Sequence, residues 1–184
     1  YGGSGYLGSE AIRRLLNHPA VELRHVYAAD HLGQPLSHAL PNLEGKTDLR
    51  FEAVDPEAPP SVDIALLALP HPVSHRVVAK LLPGKARIID MSGAFRMNDP
   101  ERYAAAYGER HPLPELLSQF VYGLPELNRA AIMKSRFVAS PGCFATTLEL
   151  GLLPLARAGL LEGHISSVGI TGSSGSGAAP SPTT

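Results

Sequence analysis

The sequence predicts an α/β fold built on a doubly wound parallel sheet, and three observations predict it. Short apolar runs of strand length recur along the chain, segments with helical spacing of apolar residues lie between them, and a glycine-rich turn opens the first helix. The run at 64–69 is continuously apolar rather than alternating, the pattern of a strand buried on both faces of a parallel sheet.

The elements follow in order. Tyr1-Gly2-Gly3-Ser4-Gly5-Tyr6-Leu7-Gly8 is a turn of the kind that follows a buried strand, so a first strand is expected ahead of it, missing from these residues. From 5 to 17, Leu7, Ala11, Ile12, Leu15 and Leu16 share one helical face. His18-Pro19 ends that helix, because proline disfavours helix at the residue before it. Residues 21–28 read as a strand, as do 64–69. Pro70-His71-Pro72 breaks the second of these, and Val73, Val77, Val78, Leu81 and Leu82 mark the next helix. A short strand is predicted at 87–90. Asp99-Pro100 supplies an N-cap and a proline at the first helical position, opening a helix through Ala106. A strand at 137–139 is stopped by Ser140-Pro141-Gly142, and a helix from 143 to 158 follows with Gly159 as its C-cap. A last strand is predicted at 167–171, then a second glycine/serine loop at 172–177.

Composition narrows the function classes. A chain of 184 residues with 44% hydrophobic and 18% charged residues suits one folded domain, or one domain and the start of another. The net charge of −1 leaves no electrostatic footprint for nucleic acid or acidic membranes. The longest apolar runs are too short to span a bilayer, and no secretory leader pattern opens the chain. One cysteine excludes an internal disulfide, so a soluble reducing compartment, the cytoplasm, is predicted.

Gly2, Gly5 and Gly8 form the pattern G-x-x-G-x-x-G. In such turns the backbone approaches a pyrophosphate closely and the helix N-terminus favours its negative charge, so Gly2, Ser4, Gly5, Tyr6, Leu7 and Gly8 are candidate dinucleotide contacts of a Rossmann-type domain. An acidic residue about 20 positions further on often holds the ribose 2′-hydroxyl. Asp30 is the candidate, and a solvated loop aspartate is the alternative. Two rivals fail on spacing. Gly45-Lys46-Thr47 could end a phosphate-binding loop, but Leu40 stands where its first glycine belongs. No tyrosine precedes a lysine by four, as short-chain dehydrogenases require. Cys143 follows Ser140-Pro141-Gly142 and opens a helix, a position that favours the thiolate and makes it a candidate nucleophile; an inert buried cysteine is the alternative.

Five segments occur in one order: Gly2 to Gly8 with Ser9-Glu10; Ala68-Leu69-Pro70-His71; Asp90-Met91-Ser92-Gly93-Ala94-Phe95-Arg96; Tyr122-Gly123-Leu124-Pro125-Glu126-Leu127-Asn128-Arg129; and Ser140-Pro141-Gly142-Cys143. Together they resemble the N-acetyl-γ-glutamyl-phosphate reductase family of arginine biosynthesis, as do 41–49 and 172–184, which also resemble the lysine-pathway relatives acting on carrier-linked aminoadipyl phosphate. The resemblance implies a dinucleotide-binding domain at 1–142 and the start of an α+β catalytic domain at 143–184. It implies that Cys143 displaces phosphate from an acyl phosphate to form a thioester, which hydride from NADP (or NAD) reduces to the semialdehyde. It places His71 and Ser92 beside the cofactor, Arg96 on the substrate anion, and Ser174 and Gly175 at the nicotinamide end, with a flexible interdomain loop as the alternative for the last two. His71 and His75 stand four apart without an evident third ligand, so no metal is expected.

Two departures stand out. Family members carry Ser and Arg after the second strand to grip the NADP 2′-phosphate; here the stretch reads Ala28-Ala29-Asp30-His31. The family's general-base histidine sits in a Gly-His-Arg-His-like segment that has no counterpart here; His164 reads as a loop residue, and the base is expected outside this chain. The expected partners are a small acyl phosphate and further copies of the chain. A non-catalytic dinucleotide-binding module is the rival reading.

Overall fold

The computed structural model describes residues 1–55 and 60–177. In chain order the elements are α1 (Tyr6–Leu15), β1 (Val26–Tyr27), α2 (Leu36–Ala39), β2 (Phe51–Glu52), β3 (Ile64–Leu67), α3 (His71–Leu81), β4 (Arg87–Asp90), α4 (Pro100–Tyr107), α5 (Pro114–Leu117), β5 (Val121–Tyr122), α6 (Pro125–Lys134), β6 (Phe137–Ala139) and α7 (Cys143–Arg157). All strand pairs are parallel: β1 with β2 in one sheet, and β3-β4-β6-β5 in the other. The fold is α/β with parallel sheets, as the alternation of patterns predicts.

Local chemistry explains the boundaries. The Asp99 carboxylate accepts the Glu101 and Arg102 amides, Pro100 stands at the first helical position, and α4 closes on Gly108 in the left-handed region. α3 opens with Pro72 near its start, where a missing N–H costs nothing.

The two sheets are bridged by residues 1–3. Tyr1 lies between β1 and β3: its backbone nitrogen donates to Leu66 O at 2.8 Å and its carbonyl accepts the Ala68 amide at 2.9 Å. On the other side, the Gly2 and Gly3 amides both donate to Tyr27 O. Beneath Tyr1 the facing edges of β1 and β3 stay apart, and a cavity of about 680 Å³ lined by Ile12, Val26, Ile64 and Leu66 runs between them. Neither Cys143 nor Arg96 lines it.

Two expectations about strand length are corrected. The strand expected at 21–28 is ordered as a strand only at Val26–Tyr27, because only there does β2 supply a ladder. The strand expected at 64–69 ends at Leu67 and is not buried throughout: Ile64 opens onto the groove. A third expectation fails outright. Residues 167–171 form no strand; Val168 and Ile170 are 93% and 94% exposed. Apolar alternation makes a strand only beside a partner ladder, and none lies there among the described residues. Residues 178–184, part of the quoted resemblance, lie outside the described residues.

Each side of the groove has its own core. Ile12, Val26, Leu36, Leu43 and Phe51 pack on one side. The larger core gathers Leu67, Val78, Ile88, Phe95, Tyr103, Leu117 and Phe137. Within it lies a polar cluster that no sequence pattern announced. His75 and His111 meet edge to face at 4.4 Å, and each also touches Phe95 and Tyr103. His111 is satisfied by the Ala94 carbonyl and the Leu113 amide, whereas His75 Nε2 has no partner among the described residues. Burial, then the neighbouring His111 and His71, pushes His75 down to about 4.

A pH prediction follows from the sign of that shift. Above the ordinary value of 6.5, His75 is neutral folded or unfolded and costs nothing. As pH falls below 6.5 the unfolded chain takes the proton first, so stability declines until pH reaches about 4, where both forms are protonated. Thermal melts across that window are expected to show a falling Tm in the native protein and a flatter profile in His75→Gln.

Candidate active site at the carboxyl edge of the sheet

The loops that follow β3, β4 and β6, together with the glycine turn, meet on one edge. They are stitched by backbone bonds just past each strand: Ala68 N to Tyr1 O, Met91 N to Leu67 O at 2.9 Å, and Ser140 N to Asp90 O at 2.7 Å. In open parallel sheets this carboxyl edge is where ligands bind. The four segments quoted at 2–8, 68–71, 90–96 and 140–143 are therefore brought together, although they are far apart in sequence.

The glycine turn divides its labour. A side chain on Gly2, whose φ is +81°, would strike the Ala68 carbonyl, and one on Gly8 would strike the Gly2 carbonyl. These two let the turn close on the sheet. Gly5 is different: the nearest atom to a Cβ built there is Gly2 O at 3.7 Å, so its outer face is open. Ser4 is half-buried, and Tyr6 and Leu7 are exposed. No side chain caps α1, and the amides of Tyr6, Leu7 and Gly8 donate to no acceptor among the described residues. Free amides at a helix start suit a pyrophosphate. Gly3, which the glycine pattern passes over, is packed on Val26, Ile12 and Phe51 and leaves no room for a side chain. Asp30 is exposed just beyond β1, 3.8 Å from His31 Nε2; Arg50 donates to the Gly33 carbonyl in the same loop.

His71 and His75 part company. His75 enters the core, while His71 is half-buried over Gly93 and meets Tyr107 edge-on at 4.9 Å. Burial and then the Arg96 charge lower the His71 pKa. Ser92 is buried and donates to the Asp90 carboxylate at 2.7 Å, so its hydroxyl is already committed to the protein.

Arg96 is more than a surface cation. Its Nε donates to Ser140 O at 2.8 Å and its Nη2 to Met91 O at 3.0 Å, clamping the loop after β4 to the turn before Cys143. Nη1 has no partner among the described residues and lies against Gly142. Cys143 is exposed, at the first position of α7, which Gly142 leaves without a side-chain cap. The first acceptor bond of the helix comes from Thr146 N to Gly142 O, leaving the amides of Cys143, Phe144 and Ala145 without acceptors among the described residues. Such amides can hold an oxyanion. Two turns along α7, Glu149 accepts the Tyr122 hydroxyl at 2.9 Å; burial, then this bond, raises Tyr122 to about 12.

Not every candidate joins this edge by bonding. Ser174 and Gly175 lie exposed in a short 3-10 turn, Ser173–Ser176, whose backbone hydrogen bonds are internal to 172–177. Nothing in the sequence marks Glu149 or Tyr107 as a site residue; Tyr122 opens one of the five ordered segments, which is the signal for it.

The chain resembles known proteins along most of its length. Residues 1–135 match the family described as semialdehyde dehydrogenase, NAD binding domain, and 143–184 match the semialdehyde dehydrogenase dimerisation domain. A Thermomicrobium roseum protein named as a LysW-L-2-aminoadipate 6-phosphate reductase is 46% identical over 161 residues, 88% of this chain and 45% of its own length. N-acetyl-gamma-glutamyl-phosphate reductase of Ectopseudomonas mendocina is 42% identical over 162 residues, 88% of this chain and 47% of its own. The chain thus spans about half the length of these relatives. Aspartate semialdehyde dehydrogenase II from Vibrio cholerae shares the fold, with a TM-score of 0.61 at 19% identity over 85% of this chain and 45% of that one. No helix among the described residues is long and apolar enough to cross a membrane. The glycine turn, its uncapped helix and the parallel sheet are the parts of a nicotinamide-dinucleotide-binding domain, and by its match over residues 1–135 the chain belongs to the semialdehyde dehydrogenase family.

Proposed function

We propose that this chain carries the cofactor domain and the nucleophile of an acyl-phosphate reductase, working on N-acetyl-γ-glutamyl phosphate in arginine biosynthesis, with carrier-linked aminoadipyl phosphate of lysine biosynthesis as the alternative substrate. The observation that carries the reading is the placement of Cys143. It is exposed at an open helix start on the same sheet edge as the glycine turn. Tyr1, β3, β4 and β6 are successive neighbours, so three strand spacings, about 14 Å, separate the two. An extended dinucleotide lying across the edge covers that distance.

In this reading the Cys143 sulfur attacks the acyl carbon, phosphate leaves with the electron pair of the broken C–O bond, and a thioester remains. The free amides of Cys143 and Phe144 hold the developing oxyanion, and Arg96 Nη1 holds the substrate's anionic group. A nicotinamide bound on this edge would supply the hydride; the carbon–sulfur bond of the thioester then breaks, the semialdehyde leaves and Cys143 is returned as the thiolate. The glycine turn takes the pyrophosphate at Gly5 and the amides of Tyr6, Leu7 and Gly8, with Ser4 and Asp30 at the ribose and His71, Ser92, Ser174 and Gly175 toward the nicotinamide. NADP is the proposed form, with Arg50 the cation in the loop that holds Asp30; NAD is the alternative, in which Asp30 holds the 2′-hydroxyl. We further assign the start of the catalytic domain to Cys143, self-association to the segment from 143 onward, and the reaction to the cytoplasm.

The complete protein, given phosphate and NADP, is expected to oxidise N-acetylglutamate semialdehyde only when phosphate is present, and more slowly with NAD. Absence of turnover with this substrate and with its aminoadipyl counterpart would reject the reading.

A further inference from the structure

We propose that Asp90 is the positioning residue of the site: its buried carboxylate shapes the 91–96 loop so that Arg96 faces the turn before Cys143. This rests on reading Arg96 as the group that meets the substrate anion.

Asp90 ends β4, a strand flanked by β3 and β6, and is fully buried. No Lys or Arg pairs with it among the described residues. Burying a carboxylate is costly unless hydrogen bonds replace the lost water, and an apolar side chain would suit the surrounding core better. The bonds that replace water all reach toward the loop or its neighbour helix. Oδ1 accepts the Ser74 hydroxyl at 2.6 Å and the Ser92 amide at 3.2 Å, and Oδ2 accepts the Ser92 hydroxyl at 2.7 Å. The Ser92 oxygen then accepts the Ala94 amide at 3.0 Å. One carboxylate therefore ties α3 to the loop and sets the loop's first turn through both backbone and side chain.

The remainder of the loop follows from that start. Phe95 is driven into the core, stacked on Phe120 at 4.1 Å. The chain then returns Arg96 to the loop's own beginning, where Nη2 finds Met91 O and Nε finds Ser140 O. With Nε and Nη2 so engaged, Nη1 is left against Gly142, 3.1 Å from where a Cβ there would stand. Asp90 itself touches neither Arg96 nor Cys143 by any hydrogen bond; it acts through the loop.

The test measures charge selectivity at Cys143 in the complete protein. Native protein is alkylated with anionic iodoacetate and with neutral iodoacetamide, and the Cys143 peptide is followed by mass spectrometry. Arg96→Gln is expected to lower the iodoacetate-to-iodoacetamide rate ratio about five-fold, and Asp90→Asn by a similar factor, with the iodoacetamide rate held within about two-fold. In the Arg96→Gln background, Asp90→Asn is expected to change the ratio no further, since residues acting through one another are not additive. Circular dichroism and thermal melts confirm that each variant is folded. Should Asp90→Asn fail to fold, Ser92→Ala keeps the Asp90–Ser74 pair, cuts the side-chain link to the loop, and is expected to lower the ratio as well. An unchanged ratio in folded Arg96→Gln, Asp90→Asn or Ser92→Ala overturns the proposal, as does a further drop in the double variant. Failure of the wild type to turn over an acyl phosphate sinks the reductase reading alone, because the alkylation ratio needs no substrate.

Discussion

Cys143→Ser is expected to lower phosphate-dependent turnover of the complete protein by about 10⁴-fold or more, in the range seen when other enzymes lose a nucleophile. Dinucleotide affinity is expected to stay within about two-fold, because the glycine turn lies on the far side of two intervening strands and shares no hydrogen bond with Cys143. The contrast follows from geometry. The open amides at the start of α7 and the Arg96 clamp survive the substitution, so substrate still docks. A serine hydroxyl there is a poor nucleophile without a base to take its proton. Steady-state rates and a fluorescence titration with NADPH measure the two halves separately. Mass spectrometry of the wild type with acyl phosphate and no cofactor should show the added acyl group on Cys143. Residual activity above one part in a hundred in the serine variant would remove Cys143 from the chemistry.

The second large effect is expected at the glycine turn, and it splits between two positions. Gly8→Val drives a branched side chain into the Gly2 carbonyl, backbone against backbone-attached carbon with no flexible end to yield. Overpacking of that kind costs about 1–3 kcal/mol, and the turn it deforms is the one that presents the free amides of α1. Dinucleotide binding should fall by about 30-fold or more, together with a lowered Tm. Gly5→Ala is the counterpart. Its Cβ meets nothing closer than 3.7 Å, so stability should remain near wild type, while the methyl stands on the open face and weakens binding about tenfold. Equal loss of stability in both variants would show that Gly5, too, serves only to close the turn.

Much of this arrangement is legible in the sequence because the chemistry is local. Ser140-Pro141-Gly142 stops a strand and starts a helix, so Cys143 at a helix start needs no knowledge of the remaining chain. The same holds for Asp99-Pro100, whose cap forms as predicted, and for the glycine turn leading into α1. Segments needing a distant partner are read less well. Residues 167–171 have the composition of a strand and no ladder beside them, while Val121–Tyr122 and Phe51–Glu52 are strands solely because a neighbour pairs with them.

By itself the sequence determined the α/β alternation, the turn that presents amides to an anion, and the cysteine at the mouth of a helix, since each depends on residues within a few positions of one another. Tertiary structure alone decided that Arg96 clamps two loops, that Ser92 spends its hydroxyl on Asp90, and that His75 faces His111 rather than His71. The reason is physical: hydrogen bonds and packing across strands depend on which segments become neighbours in the sheet, and that order is set by the burial of whole elements, not by the spacing of any one motif.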